Sequence, residues 1–237
     1  FYSATYKIRV TNAAKDSAGN NIDNHTQTYG FKTTITIPTT AGSAHSCFML
    51  DNGSVKCWGE NSYGQLGLGD TINRGDNSSE MGDNLTAIDL GTGRTATAIA
   101  AGNHHTCAIL DNSSVKCWGS NASGQLGLGD TSNRGDNSSE MGDNLTTIDL
   151  GNGRTATAIA AGNHHTCAIL DNASIKCWGS NASGQLGLGN TSNRGDNSSE
   201  MGDNLPSVDL GSGRTAKAIA IATGDSHTCA ILDNASI

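Results

Sequence analysis

The sequence predicts an all-β repeat protein, a partial β-propeller of three blades plus a fragment of a fourth. Three observations predict it. The chain of 237 residues repeats with a period of sixty, and residues 101–160 and 161–220 differ at only eight positions. It holds 31 Gly against 2 Pro and is crowded with Asn, Asp, Ser and Thr, the residues of tight turns. Its apolar runs are short, and none carries a helical period.

The third copy shows the elements in order. Thr157 to Ala161, ended by Gly162, is a short β-like run. His165 to Leu170 is an apolar strand, Asp171 to Ser174 a turn, and Ile175 to Gly179 a second strand of a hairpin. The glycines of Gly184 to Gly189 follow, then a long polar loop. A fourth short strand is expected around Val208, Asp209 and Leu210. In the first copy the hairpin turn is Asp51-Asn52-Gly53, residues that tolerate positive φ. Four short strands per unit describe a propeller blade. One blade cannot bury both faces, so neighbours must stack. The copies span 41–100, 101–160, 161–220 and, after a two-residue insertion at Ile221 and Ala222, the partial 221–237.

Net charge is −8, with 14 basic residues scattered among 22 acidic ones. Nucleic-acid binding is not expected, because it needs a basic stripe to neutralise phosphates. No stretch approaches the roughly 18 apolar residues of a membrane span.

The segment HTCAILDNSSVKCWGSNASGQLGLGD, His105 to Asp130, resembles the regulator of chromosome condensation repeat. The signature is a Gly-x-x-His step, a hairpin ending in Trp-Gly, then Asn-x-x-Gly-Gln-Leu-Gly. It recurs as Gly42/His45, Gly102/His105, Gly162/His165 and Gly224/His227, with Trp58, Trp118 and Trp178 after the first three. The resemblance covers residues 41–237 and implies a seven-bladed propeller, of which this chain supplies about half. It also implies that the recurring histidines are structural. A shorter resemblance, over Thr5 to Thr33, is to the last strands of a bacterial immunoglobulin-like domain of the S-layer type. It makes residues 1–33 a β-sandwich fragment and residues 34–40 a linker.

The cysteines fall as Cys47/Cys57, Cys107/Cys117 and Cys167/Cys177, with Cys229 alone. In a hairpin centred on position 52, Cys47 lies opposite Cys57. Opposed Cβ atoms are about 4.5–5.5 Å apart, close to disulfide range. Three disulfides are expected, and with them an oxidising compartment. Buried free thiols are one alternative. A metal held by His105, Cys107 and Cys117 is another, although structural zinc wants four ligands.

Other motifs have plain readings. GQLGLG lacks the spacing and the following helix of a phosphate loop. Arg74-Gly75-Asp76 recurs as Arg134/Asp136 and Arg194/Asp196, with Glu80, Glu140 and Glu200 close behind. This acidic loop is expected to protrude and to be the partner-binding segment. Its carboxylates lack the spacing of a calcium loop.

An enzyme needs one asymmetric constellation of reactive groups, and near-identical blades repeat the same residues instead. The expected function is therefore a non-catalytic binding or scaffold module, without cofactor or metal. Its place is extracellular or at the cell surface, and its partner a protein or a glycan. The resemblance implies two alternatives: nucleotide exchange on a small GTPase, and inhibition of a secreted enzyme. Both are analogies of fold.

Overall fold

A computed structural model describes residues 39–236. The immunoglobulin-like segment, residues 1–33, lies outside them. Four antiparallel sheets follow one another along the chain. The first is β1 (Thr39–Ala41), β2 (His45–Met49) and β3 (Val55–Gly59). The second is β4 (Ala96–Ala101), β5 (His105–Leu110) and β6 (Val115–Gly119). The third is β7 (Ala156–Ala161), β8 (His165–Leu170) and β9 (Ile175–Gly179). β10 (Ala216–Thr223) and β11 (Thr228–Leu232) pair in a fourth.

Two expectations are corrected. Residues 39 and 40 are not linker: Thr39 pairs with Phe48 and Thr40 with Cys47. Each sheet thus draws its first strand from just before the sixty-residue frame. The expected fourth strand is also absent among the described residues. The segment instead touches the sheet at one point, where Val208 N–H donates to the Ile175 carbonyl at 2.8 Å. Ile88 and Ile148 make the same bond to Val55 and Val115. Lys116 of the following sheet meets the corresponding segment of the first copy. Its ammonium is buried and donates to the carbonyls of Leu90 (3.0 Å) and Gly142 (2.8 Å). Lys176 donates to the Leu150 carbonyl in the next copy.

The hairpin turn has a three-residue loop closed by a left-handed residue. Leu50 N–H donates to Ser54 and Gly53 N–H returns to Leu50. Gly53 has φ +77°, and its counterparts are Ser113, Ala173 and Ala235 at +64°, +63° and +68°. The insertion at 221–222 is absorbed as a register shift within β10.

Strand alternation gives each sheet two apolar faces. One face of the second sheet carries His105, Cys107, Ile109, Val115 and Cys117. The other carries Thr106, Ala108, Leu110 and Trp118. The first face packs on Ala168, Leu170 and Trp178 of the third sheet. In the same way Cys47, Val55 and Cys57 meet Ala108, Leu110 and Trp118. The core is a series of seams between sheets, each closed by Leu66, Leu126 or Leu186 from the GQLG turn.

Candidate functional site

The signature residues converge on those seams. His45 Nε2 lies 2.8 Å from Thr106 Oγ1 of the next sheet. That hydroxyl donates to the Gln65 carbonyl at 2.9 Å, and Trp118 Nε1 donates to the same oxygen at 3.1 Å. The second seam repeats the set with His105, Thr166, Gln125 and Trp178 at 2.9, 2.9 and 3.0 Å. The third has His165 to Thr228 and Thr228 to Gln185, both at 3.0 Å. A threonine hydroxyl has one proton to give. Given to the glutamine carbonyl, it leaves the hydroxyl to accept from the histidine Nε2–H. The histidines therefore carry a proton on Nε2.

Burial, reinforced by neighbouring histidines, lowers the His105 pKa to about 3. Burial likewise lowers His45 and His165 to about 4. A general base works best near the operating pH, so these rings are structural joints. The fixed glycine before each follows from contact: a Cβ on Gly42 would sit 2.7–2.8 Å from two atoms of the His45 ring. His227 is exposed, against Gly224.

The cysteine pairs bond as the hairpin register requires. Cys47 is opposite Cys57, Cys107 opposite Cys117 and Cys167 opposite Cys177, and all three pairs are disulfides with Cα atoms 4.1 Å apart. Leu50 bonds Ser54, so alternation makes 47/57 a non-hydrogen-bonded pair, where Cα atoms approach most closely. The sulfurs are spent on each other, and among the described residues no group of three His, Cys, Asp or Glu could hold a metal ion. Cys229 is a free, exposed thiol. Replacing Cys107 and Cys117 by serine is expected to cost about 2.5–3 kcal/mol on the loop-entropy model, read as a lower urea midpoint at unchanged slope. A midpoint that does not move would refute it.

The Arg-Gly-Asp step is covered in the second and third copies, where Gly135 and Gly195 are buried, and exposed in the first, at Gly75 and Asp76. Gly119 and Arg134 bridge backbone to backbone, as do Gly59 with Arg74 and Gly179 with Arg194. Arg134 reaches back to Asp130 at 2.6 Å, and Arg74 to Asp70 at the same distance. Asn190 replaces the acid in the third copy, and the Arg194 guanidinium donates to the Asn193 carbonyl instead. Glu80 accepts from the backbone of Gly75 and Asn77 at 2.9 and 3.1 Å, and Glu140 and Glu200 repeat the bonds. The preceding GQLG loop covers the segment: Gly69 N–H donates to Gly135 O, and Gly129 N–H to Gly195 O, both at 3.0 Å. Burial, with Glu140 alongside, raises the Asp136 pKa, and Asp196 is raised for the same reason beside Glu200. In the second and third copies this step of the loop is a second layer of the seam. The partly buried Trp58 has no such seam in front of it among the described residues.

Sequence reasoning did not single out Thr106 or Lys116, and it read Gln65 only as part of the signature turn. Their signal was periodic: Thr106, Thr166 and Thr228 recur directly after the signature histidine.

Models of the regulator of chromosome condensation (RCC1) repeat match residues 39–65, 96–125 and 156–185, and also 114–169 and 177–231. The chain belongs to this repeat family. It is 28% identical over 171 residues to the human X-linked retinitis pigmentosa GTPase regulator, covering 72% of this chain and 15% of that protein. It is 29% identical over 198 residues to the ultraviolet-B receptor of Arabidopsis thaliana, covering 83% and 39%. Among solved structures it resembles Prp20p of Saccharomyces cerevisiae with a TM-score of 0.58 at 18% identity, covering 81% of this chain and 42% of that one. The chain thus spans well under half the length of these relatives. The structural likeness carries the fold: stacked, propeller-like sheets.

Proposed function

We propose that the chain is a non-catalytic binding module of a secreted or cell-surface protein, engaging a protein or glycan through its loops. One observation carries this. Each of the three complete sheets is locked by a disulfide across its central hairpin, and disulfides persist in oxidising compartments and are rare in the cytosol. The resemblance of residues 5–33 to surface-protein domains points the same way. Trapping thiols with acid in intact producing cells, then alkylating before and after reduction, tests it by mass spectrometry. Protection of the six paired cysteines in an exported fraction is expected. Six reactive thiols in a cytosolic fraction would overturn the proposal.

The relatives favour a second function. Prp20p binds Gsp1p and histones, and the human relative is named a GTPase regulator. Nucleotide exchange would show as faster release of labelled GDP from a small GTPase. Inhibition of a secreted enzyme is the third alternative, resting on fold analogy alone.

A further inference from the structure

The copies are so alike that their differences carry information. Glu60, Tyr63 and Ile72 occupy positions that are serine in both following copies: Ser120 and Ser180, Ser123 and Ser183, Ser132 and Ser192. The blade folds with serine there, so its own packing does not require these side chains. Yet Tyr63 and Ile72 are 40% and 62% exposed. Both are apolar groups left on the surface where the other copies carry serine.

The patch is also held in place. The Tyr63 ring lies 4.9 Å from that of His104, tilted by 47°, and His104 Nδ1 is 3.3 Å from Glu60 Oε2. Tyr63 N–H donates to Gln65 Oε1 at 2.9 Å. Asn61 staples this turn to the segment carrying Ile72, donating to Asn73 Oδ1 at 3.0 Å and to the Asp70 carbonyl at 2.8 Å. A fixed aromatic loses little entropy on binding and makes a good anchor. The same two segments carry Glu60, Asp70, Asp76 and Glu80 against one cation, Arg74, which is already paired with Asp70.

We propose that this rim of the first blade docks a protein segment carrying an apolar side chain beside a lysine or arginine. The apolar group would rest on Tyr63 and Ile72. The cation would meet the tyrosine face and the Glu60 carboxylate. The proposal rests on the chain being a binding module and says where it binds and what.

A displayed library of random heptapeptides, selected on the full chain, tests it. Enriched peptides should pair an aromatic or branched residue with Lys or Arg. The variant Glu60→Ser/Tyr63→Ser/Ile72→Ser carries the residues of the next two copies and so keeps the fold. It should bind the enriched peptides at least tenfold more weakly. Equal binding by the variant, enrichment of acidic peptides, or no enrichment would each overturn the docking site. None of these touches the secretion reading, which the thiol state decides separately.

Discussion

Lowering the pH from 7 to 4 is expected to destabilise the repeats steeply, by several kcal/mol, with no covalent change. His45, His105 and His165 sit neutral in the seams with pKa values lowered to about 4, 3 and 4. In the unfolded chain they titrate near 6.5. Above that value both states are neutral and the histidines cost nothing. As pH falls from 6.5 toward 4, the unfolded state takes up protons that the folded state refuses, so stability drops. A fall from 6.5 to about 4 or 3 corresponds to a ceiling of ~3–5 kcal/mol per site, before any local relaxation. Asp136 and Asp196, whose pKa values are raised, act in the opposite sense: their contribution is lost as pH rises through their own titration. Melting temperature measured against pH should be flat above about 7 and fall below 6.5, with proton uptake on unfolding from these three rings and from His164, which burial also lowers. A flat profile between pH 6.5 and 4 would contradict the neutral, buried state of these rings.

The hairpins were legible because their information is local. The Cys47 to Cys57 spacing and the turn at Asp51-Asn52-Gly53 fix register within a dozen residues, and the structure reproduces both. The seams were less legible. Thr106 bonds a histidine 61 positions earlier and a carbonyl 41 positions earlier, and such separations leave no pattern in a window the length of one hairpin. The fourth strand failed because its alternation reported burial and not pairing: Ile88 and Leu90 are buried, but among the described residues the segment gives its sheet a single backbone bond, from Ile88 N–H to the Val55 carbonyl. The Arg-Gly-Asp loop was read correctly only in part, for a related reason: its composition is that of an exposed loop, and it is exposed at Gly75, while Gly135 and Gly195 are covered by a turn from the preceding copy.

Replacing the three tryptophans one at a time should give unequal results, although the motif around each is the same. Trp118 and Trp178 are fully buried and donate to the Gln65 and Gln125 carbonyls. Trp118→Ala or Trp178→Ala should therefore cost about 3–5 kcal/mol through the lost packing and the cavity left behind. Trp118→Phe should cost less, since it keeps the ring and loses one of the two donors at Gln65. Trp58 is only partly buried, so Trp58→Ala should cost clearly less than either. Urea midpoints for the three alanine variants decide the matter. Equal losses at all three would mean that the tryptophan acts within its own hairpin. Inequality in the stated order would mean that its stability comes from the neighbouring sheet, so that a blade is held by the copy that precedes it. That dependence is what lets near-identical copies differ in stability, and it places the weakest join wherever a seam lacks its tryptophan.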